Sequence, residues 1–406
     1  MQTTLNDGGA LKGMRVLELA QIMAGPTCGM MLADLGADVI KIEKPDGGDD
    51  SRGYTDPQIN GVSVPFLMLN RNKRGIALDL KSAEGREVFL RMIRKADVLI
   101  ENFRGGTLEK LGLGYDVLSA INPGLIYCAI SGYGRTGPYG QEGGFDLIAQ
   151  AFSGLMSITG EPGGRPLRNG SSIADINAGV LAAFGILAAY QQKQRTGLGQ
   201  VVETSLLEAS LQQLYWHAGI YFASNESPGP SGSSHILIAP YQAFATQDQW
   251  IIIGGANERN WTRIAKALGH AEWCEDARFK TNSVRMQNRD ALVAEMEAVL
   301  KTQSSAHWLE VFREIGVPAG PVNSVGQALE HPQTIAREMV VEQEHPKAGP
   351  IRTIGLPVKL SRSPAVYHSP APALGQHSRE LLAEFEFNEE EIEKMVASGV
   401  IVPPRD

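Results

Sequence analysis

The sequence has few cysteines and shows no local cluster of metal-binding residues. Its three cysteines, Cys28, Cys128 and Cys274, stand far apart along 406 residues. Neither a C-x-x-C pair nor a local His/Cys cluster occurs, which argues against a structural zinc site and against a disulfide framework. We therefore expect a reduced chain that holds no metal.

The sequence also lacks a long apolar run and an excess of positive charge. Its first residues, MQTTLNDGGALKG, contain neither the basic nor the apolar region of a signal peptide. No run of about 18 apolar residues, the length that a membrane span needs, is present. The net charge of −8 argues against a general nucleic-acid partner. We expect a cytoplasmic protein with neither a membrane nor a nucleic acid as partner.

The first half alternates short apolar segments with helical patterns. The predicted strands are Met14–Leu19, Asp38–Glu43, Gly75–Leu80, Val98–Glu101 and Leu125–Ile130, and the helices between them include Ala24–Leu35 and Ser82–Lys95. This order predicts an α/β fold with a parallel sheet that helices cover on both faces. Ligands of such sheets bind at the carboxyl ends of the strands. The loops that begin near Ala20, Glu43, Asn102 and Ser131 are therefore candidates for a site.

The character of the chain changes after residue 223. The segment Ser224–Ser234, SNESPGPSGSS, has the composition of a linker. Beyond it, Tyr241–Thr246 and Trp250–Gly254 predict a hairpin, and helices are predicted at 257–268, 291–302 and 306–315. We predict a large domain at 1–223, a linker at 224–234, a small α+β domain at 235–332, and a return segment with C-terminal helices at 333–406. The Pro- and Gly-rich region Pro346–Gln376 is predicted to be extended.

The stretch Arg165–Gly197 joins a polar loop to a long helix. One apolar face at helical spacing is formed by Ile176, Val180, Phe184, Leu187 and Ala188. Asp175 stands at or near the start of this helix, where free N–H groups and the helix dipole favour a negative charge. We expect its carboxylate to stay ionised at neutral pH, and such a carboxylate can attack an acyl carbon. The alternative is that Asp175 is only the N-cap of the helix.

Two further features bear on ligands. Gly132-Tyr-Gly134-Arg-Thr-Gly137 matches G-x-G-x-x-G, but Pro138 follows instead of a helix, so nicotinamide binding is not favoured. Basic residues concentrate at the predicted strand ends of the first half, which suits a small polyphosphate ligand, although a solvated surface is the alternative for each of them. These residues are Lys41, Lys44, Arg52, Arg71, Lys73, Arg74, Arg104 and Lys110.

Several blocks together resemble the class III (CaiB–BaiF, formyl-CoA transferase-like) CoA-transferases. They are LELAQIMAGPTCGMMLADLGADVIKIEKP, LNRNKRGIALDLKSAEG, ADVLIENFRGGTLEKLGLGYDVL, LIYCAISGYGRTGPY, FDLIAQAFSGLMSITG, RTGLGQVVETSLLEA and GVPAGPVNS. The resemblance covers nearly the whole chain. It implies a Rossmann-like large domain, a smaller domain, a C-terminal segment that returns to the large domain, and a homodimer of two interlocked rings.

The same resemblance implies a chemistry. Asp175 falls on the nucleophilic aspartate of the family, which attacks an acyl-CoA thioester and then carries CoA as an aspartyl thioester until an acceptor acid takes it. Coenzyme A is then a co-substrate, and no prosthetic group or metal is needed.

The resemblance also implies contacts with CoA and with the substrate acids. The expected CoA contacts are Met23, Ala24, Lys44, Leu69, Asn72, Asn102, Phe103, Arg104 and Lys110. The expected substrate contacts are Tyr133, Gly254 and Gly255. Apart from the resemblance, Arg165 and Arg168 stand just before Asp175, and Arg168 is a further expected substrate contact that could hold a second carboxylate with Arg165. Met23 and Tyr54 replace a glutamine and a tryptophan of the formyl- and oxalyl-specific members, which argues against oxalate as the acceptor. A small dicarboxylate such as succinate is a candidate donor acid.

Two other functions stay open at the level of the sequence. The first is an α-methylacyl-CoA racemase, but those relatives carry a G-H-D block where this chain has Gly144-Phe145-Asp146, and phenylalanine cannot move a proton. The second is a CoA-binding accessory protein without turnover. The identity of the donor and of the acceptor is not specified by any residue.

Overall fold

In the computed structural model, which describes residues 8–404, the strands predicted for the first half are present within one or two residues of their predicted bounds. The strands, in chain order, are β1 (Arg15–Glu18), β2 (Asp38–Glu43), β3 (Gln58–Ile59), β4 (Val62–Ser63), β5 (Lys73–Leu78), β6 (Val98–Glu101), β7 (Ile126–Ser131), β8 (Val201–Ser205), β9 (Tyr241–Ala245), β10 (Trp250–Gly254), β11 (Ala319–Pro321), β12 (Val340–His345), β13 (Gly349–Ile354) and β14 (Ile401–Val402).

Helices connect these strands. They are α1 (Ala24–Asp34), α2 (Val64–Leu69), α3 (Ala83–Arg94), α4 (Thr107–Lys110), α5 (Tyr115–Ile121), α6 (Asp146–Phe152), α7 (Ile173–Thr196), α8 (Leu206–Leu211), α9 (Tyr215–Ser224), α10 (Glu258–Ala267), α11 (Asn282–Gln287), α12 (Arg289–Leu300), α13 (Ser305–Glu314), α14 (Val325–Glu330), α15 (Pro332–Ala336), α16 (Ser378–Glu384) and α17 (Glu389–Ala397). Short 3₁₀ turns lie at Asp50–Gly53, Leu155–Ser157, Gln212–Leu214 and Ala271–Cys274.

The chain forms two compact units. The first comprises the chain up to Leu155, Arg168–Ala218 and the chain from Gln333 onward, and the second comprises Met156–Leu167 and Gly219–Pro332. The second unit thus includes Met156–Leu167, which the predicted large domain 1–223 had contained. One hydrogen bond helps to attach this loop to the second unit: the N–H of Gly232 donates to the carbonyl of Gly160 at 2.8 Å. The return segment from 333 belongs with the first unit.

The first unit is built on a seven-stranded sheet with the order β14-β5-β2-β1-β6-β7-β8. Neighbouring strands from β5 to β8 are parallel, and β14 pairs antiparallel with β5 at the edge. When β14 and the small β3–β4 hairpin are not counted, the six remaining strands lie in the order 3-2-1-4-5-6 along the sheet. This is the strand order of a doubly wound nucleotide-binding sheet. The predicted mixed α/β fold with a large parallel sheet is therefore confirmed.

Alternate strand residues face two apolar cores. Leu17, Ile40 and Leu99 face a core that includes Phe89 of α3 and Leu381 of α16. On the opposite face, Val16, Val39 and Ile100 pack with Leu32 of α1 and Ile186 of α7. The C-terminal segment is thus part of one core of the sheet.

The row of large apolar residues on α7 is not the row that packs most tightly on the first unit. Phe184 is 71% exposed, and Ile176 and Val180 are each 38% exposed. The buried row consists instead of Ala174, Ala178, Gly179, Ala182, Ala183, Ile186 and Ala189. Small residues are needed there because α1 lies very close: a Cβ on Gly179 would come within 2.5 Å of the carbonyl oxygen of Ala24. By length and composition alone, α7 is the one helix of the described chain that could cross a membrane, a property that it shares with core helices of soluble proteins.

The return segment, which the sequence predicts to be extended, contains a strand. Within Pro346–Gln376, residues 349–354 form β13, which pairs antiparallel with β12. Further on, the N–H of His377 donates to the carbonyl of Gly75 at 2.9 Å, next to the sheet edge that β14 completes.

The second unit contains the predicted hairpin. β9 and β10 pair antiparallel, and β11 extends them to a three-stranded sheet. Its helices α10, α12 and α13 pack on this sheet through Trp261, Ile264, Met296 and Phe312, and Phe279 joins the same core from the turn before α11. The sequence had predicted the hairpin and helices α10, α12 and α13 but not β11, whose three residues are Ala-Gly-Pro.

Candidate active site

A cavity of about 360 Å³ opens at the carboxyl ends of β1, β6 and β7 in the first unit. β1 and β6 are the neighbours at which the strand order changes direction, the place where doubly wound sheets bind ligands. The loops after the three strands supply most of the wall. Asp175 and Leu206, from the first turns of α7 and α8, complete it.

Asp175 lies in the first turn of α7 and does not cap the helix. The N-cap residue is Ser172, so the alternative that Asp175 is the N-cap is wrong. The helix start is bound by a second carboxylate: Asp146 Oδ1 accepts the N–H groups of Ala174 at 2.8 Å and Asp175 at 3.3 Å. The side chain of Gln150 donates to the other oxygen of Asp146 at 2.6 Å. The Asp175 carboxyl therefore stays available for other chemistry.

Burial, followed by the charge of Asp146, raises the pKa of Asp175 to about 7. This direction runs against the expectation that the helix start keeps the carboxylate ionised at neutral pH. The reason is that burial disfavours the charged form and that Asp146 already occupies the N–H groups at the start of the helix. Among the described residues, the Asp175 side chain has no hydrogen-bond partner, and it faces the cavity.

Glycines shape the wall opposite the strands. A Cβ on Gly144 would come within 2.4 Å of the Cα of Gly132, so neither residue has room for a side chain. A Cβ on Gly143 would come within 2.8 Å of the Arg104 guanidinium, which lies against this loop. Gly132, the first glycine of the G-x-G-x-x-G motif, thus allows two backbone segments to cross closely. The motif is followed by an irregular segment and not by a helix.

The loops after β1 and β6 are tied together by one side chain. Asn102 Oδ1 accepts the N–H of Gln21, and Asn102 Nδ2 donates to the carbonyl of Gln21, both at 2.9 Å. Because its amide satisfies both the N–H and the carbonyl of Gln21, Asn102 fixes Gln21 at the cavity wall, and one N–H and one lone pair of the amide remain for other partners.

The cavity brings together six of the predicted site residues. These are Met23, Ala24, Asn102, Phe103, Arg104 and Asp175. It also contains residues that the sequence reasoning missed, namely Gln21, Ile22, Asp50, Glu142, Gly143 and Phe145. Gln21 and Ile22 lie in the loop after β1, which the sequence marks as a candidate, so membership of a loop at the carboxyl end of a strand was the usable signal. Asp146 was missed as the partner of the Asp175 helix, since a distance of 29 positions gives no local pattern.

Other predicted CoA contacts do not line the cavity. Lys44 is exposed and pairs with Asp50 at 2.7 Å, and Lys110 is exposed on α4. Asn72 is buried, and its side chain donates to Asp34 at 2.9 Å and accepts the N–H of His368 at 2.9 Å. Leu69 is half-buried at the end of α2.

The predicted substrate contacts are also outside the cavity lining. Tyr133 packs against the rings of Tyr139 and Phe152, and Arg168 is exposed. Gly254 ends β10 in the second unit, where the N–H of Gly255 donates to the carbonyl of Pro240 at 2.7 Å.

Most of the basic residues that the sequence places at the strand ends are not available to a polyphosphate ligand, so the prediction is wrong for them. Lys41 and Lys73 are fully buried and share Glu18. Arg71 pairs with Asp34, Arg74 with Asp38, and Arg52 with Glu43. Each of these five cations is therefore paired with a carboxylate of the first unit. Of the eight basic residues, Lys44, Arg104 and Lys110 are exposed and remain for an anionic ligand. Within residues 8–404, no group of three or more His, Cys, Asp or Glu side chains could hold a metal ion.

The sequence is similar to characterised proteins along most of its length. A sequence model described as CoA-transferase family III matches residues 11–378. The succinyl-CoA:glutarate CoA-transferase of Mus musculus is 39% identical over 392 residues, which cover 96% of this chain and 90% of the relative. The acetyl-CoA:oxalate CoA-transferase of Acetobacter aceti is 39% identical over 379 residues, which cover 93% of this chain and 96% of the relative. The crystal structure of a CaiB/BaiF family protein from Brucella suis superposes with a TM-score of 0.84 at 39% identity, over 93% of this chain and 100% of that chain.

Proposed function

The chain belongs to CoA-transferase family III, and on this basis we propose that it moves CoA from an acyl-CoA to a dicarboxylic acid with Asp175 as the nucleophile. That it is an enzyme that transfers CoA from a thioester to a carboxylic acid follows from the family and from relatives at this similarity. The covalent role of Asp175, the dicarboxylate substrates and the residues that hold CoA are the proposal.

The reaction begins when an oxygen of the Asp175 carboxylate attacks the thioester carbonyl of the donor. The C–S bond breaks, CoA leaves as a thiolate, and a mixed anhydride joins the acyl group to Asp175. The thiolate then attacks the Asp175 carbonyl, which releases the donor as a free carboxylate and leaves an aspartyl-CoA thioester. The acceptor carboxylate attacks this thioester and gives a second anhydride and CoA thiolate. Attack of the thiolate on the acceptor carbonyl yields the new acyl-CoA and restores Asp175.

One observation carries this role: Asp175 is a partly buried carboxyl that faces the cavity and has no hydrogen-bond partner among the described residues. A carboxylate bound by several donors would be a poor nucleophile, whereas this oxygen is free to form a bond. The raised pKa of about 7 means that the anion is poorly stabilised by its surroundings, which increases its tendency to attack. The main tasks left to the protein are positioning and the exclusion of water from the anhydride.

For CoA we propose contacts with the part of the predicted set that shares the Asp175 cavity. Met23, Ala24 and Phe103 offer backbone and apolar surface for the thioester end, and Arg104 offers a guanidinium for an anionic group. The exposed cations Lys44 and Lys110 are proposed to meet the phosphates. Leu69, Asn72, Asn102, Tyr133, Gly254 and Gly255 stay predictions for CoA or substrate contacts.

For the acids we propose a small dicarboxylate on each side of the exchange. Relatives at equal identity are named for succinyl-CoA with glutarate and for acetyl-CoA with oxalate, so similarity alone does not choose between these acids. Met23 and Tyr54 favour an acceptor other than oxalate. Arg168 stays a candidate for the second carboxylate, although it is exposed and outside the cavity lining.

We also propose a homodimer of interlocked rings in the cytoplasm. A monomer would leave large apolar side chains exposed on helices α6 to α9, among them Phe152 at 51%, Phe184 at 71%, Tyr215 at 72% and Trp216 at 66%. Surfaces of this kind are commonly covered by a partner. A mass of one chain by light scattering at micromolar concentration would contradict the dimer.

A donor–acceptor screen tests the function. Succinyl-, glutaryl-, acetyl- and oxalyl-CoA are each paired with a panel of mono- and dicarboxylic acids, and Asp175→Asn is run in parallel. We expect transfer from succinyl-CoA to dicarboxylates and none with the variant. Incorporation of deuterium from heavy water at the α-carbon of a methylacyl-CoA, without transfer in any pair, would instead indicate the isomerase. CoA binding without turnover would indicate the accessory protein.

A further inference from the structure

The loop after β1 holds an isoleucine in a backbone conformation that this residue rarely adopts. Ile22 has a φ of +67°, in the left-handed region. The other described residues with positive φ are asparagines, glutamates and glycines, so Ile22 is the one β-branched residue among them. Such conformations persist only where surrounding contacts impose them, and they concentrate at functional sites. Ile22 and its neighbours Gln21 and Met23 all line the Asp175 cavity.

The contact that imposes this conformation comes from Asp49, in the loop after β2. The N–H of Ile22 donates to both carboxylate oxygens of Asp49, at 3.1 and 3.2 Å. Asp49 is only 1% exposed, and it also accepts the backbone N–H and the hydroxyl of Ser51 at 2.9 and 2.7 Å. Lys41 Nζ lies 2.8 Å from its Oδ2 atom. The acceptor of the Ile22 N–H is therefore itself held on several sides.

Asp49 belongs to a group of four buried charges beneath the loop. Lys41 and Lys73 lie 3.1 and 2.9 Å from the carboxylate of Glu18, and the lysines and Glu18 are at most 1% exposed. Two carboxylates and two ammonium groups give no net charge, which makes the burial of all four tolerable. Although burial opposes ionisation of Asp49, Lys41 and then Ser51 lower the pKa of Asp49 to about 2. The carboxylate that binds Ile22 is thus charged at every working pH.

The same group holds the loop at a second point. Lys41 Nζ donates to the carbonyl of Ala20 at 2.9 Å, two residues before Ile22. Helix α1, which follows the loop, has Gly29 where the group needs space: a Cβ there would come within 1.8 Å of Glu18 Oε2. The buried charges therefore fix both the start of the loop and its strained residue, and they do so without lining the cavity themselves.

We propose that Asp49 is a positioning residue for the transfer reaction, which holds the Ile22–Met23 backbone in the form that receives the thioester. The proposal rests on the assignment of the Asp175 cavity as the reaction site. It assigns no bond-making step to Asp49, which acts through the backbone of Ile22. Without it, Ile22 relaxes to an ordinary negative φ, and the wall of the cavity next to Asp175 changes shape.

The test uses three variants of the full-length protein and steady-state transfer from succinyl-CoA to glutarate. We expect Asp49→Asn to lower kcat by roughly 10- to 100-fold, since small misplacements of reacting groups have effects of this size. Ile22→Gly alone gives the reference kcat for the double variant, because it removes the side chain at the cavity while glycine adopts positive φ freely. Combined with Asp49→Asn, Ile22→Gly should restore a large part of the lost kcat. A role of Asp49 in folding alone would not produce this rescue.

Two further variants keep the proposal falsifiable if Asp49→Asn folds poorly. Ile22→Pro keeps all four charged side chains but forces a negative φ and removes the N–H, so it should lower kcat to a similar extent. It should also lower Tm, because the lost N–H is bonded to a buried carboxylate. Asp34→Asn removes an equally buried carboxylate, the partner of Arg71, and should lower Tm with kcat retained. Wild-type kcat in Ile22→Pro, or no gain from glycine in the double variant, would overturn the proposal. If Asp175 of the unchanged protein forms no adduct with CoA donors, the proposed function itself fails, whatever the loop variants do.

Discussion

Asp146 and Asp175 share the start of one helix, and only one of them is bound by it. Asp146 reaches across from α6 and accepts the N–H groups of Ala174 and Asp175 at 2.8 and 3.3 Å. The Asp175 carboxyl is left without these donors and close to a second negative charge. Burial and Asp146 together raise the pKa of Asp175 to about 7. The helix start therefore stabilises the neighbour of the proposed nucleophile and not the nucleophile itself.

The first prediction concerns the pH dependence of the reaction. Because attack requires the Asp175 carboxylate, kcat/KM should fall as the pH drops through about 7, where the free enzyme takes up a proton. Asp146→Asn removes a negative charge and should move this midpoint down by about 0.5–1 pH unit. The midpoint should stay above that of an ordinary carboxyl because burial is the larger cause. A pH profile of kcat/KM for both proteins measures this, and an unchanged midpoint in the variant would contradict it.

The second prediction concerns stability. A carboxyl whose pKa is higher in the folded than in the unfolded chain favours folding at low pH, and this contribution is lost as the pH rises through about 7. Asp175→Asn cannot ionise, so above pH of about 8 it should be more stable than the unchanged protein by roughly 1–3 kcal/mol. At a pH of about 4 the difference should vanish. Thermal unfolding at both pH values measures the effect, and equal Tm values at the higher pH would be inconsistent with a desolvated Asp175.

The third prediction concerns the crossing of two glycine loops at the cavity. Gly144→Ala would place a methyl group 2.4 Å from the Cα of Gly132, so the loop that carries Phe145 and Asp146 has to move. We expect kcat to fall by roughly tenfold or more through the displaced Asp146. Gly170→Ala, with nothing within 4 Å of the added methyl, is the matched control and should leave kcat unchanged. Equal kcat values for the two variants would show that the crossing does not position the site.

The fourth prediction concerns the close packing of α1 on α7. Gly179→Ala would bring a methyl group within 2.5 Å of the Ala24 carbonyl oxygen and 2.8 Å of the Thr27 Cβ. Because both neighbours belong to a buried helix, the two helices must separate, at a cost of about 1–3 kcal/mol in the free energy of unfolding. Gly326→Ala in α14 meets nothing within 4 Å and should change stability by less than about 1 kcal/mol. Urea unfolding of both variants measures the difference, and equal midpoints would refute the packing argument.

The sequence predicted the sheet well because its strands are short, apolar and separated by helices. The bounds of β2 and β6 matched the apolar segments DVIKIE and VLIE without adjustment. The buried face of α7 was missed for the opposite reason. Where two helices lie as close as α1 and α7 do at Ala24 and Gly179, only small residues such as alanine and glycine fit between them. The rule that large apolar residues mark the buried face of a helix therefore points to the exposed side of α7.

The site was predictable in part, through the resemblance and the loops after the strands. Asn102 and Phe103 directly follow β6, Met23 ends the loop after β1 and Ala24 begins α1; the resemblance implied all four, and they line the cavity. Charges were misread because the sequence does not show which partner each one meets: Lys41 and Lys73 look like loop cations but share a buried glutamate. The pKa of Asp175 likewise depends on Asp146, which comes from another helix.

The most direct test of the account is the identity of the acylated residue. The enzyme is incubated with succinyl-CoA, the intermediate is trapped with hydroxylamine or borohydride, and the modified peptide is sequenced by mass spectrometry. The account predicts modification at Asp175, its absence in Asp175→Asn, and its dependence on the CoA donor. Turnover accompanied by modification only at another residue, or by no modification at all, would contradict it.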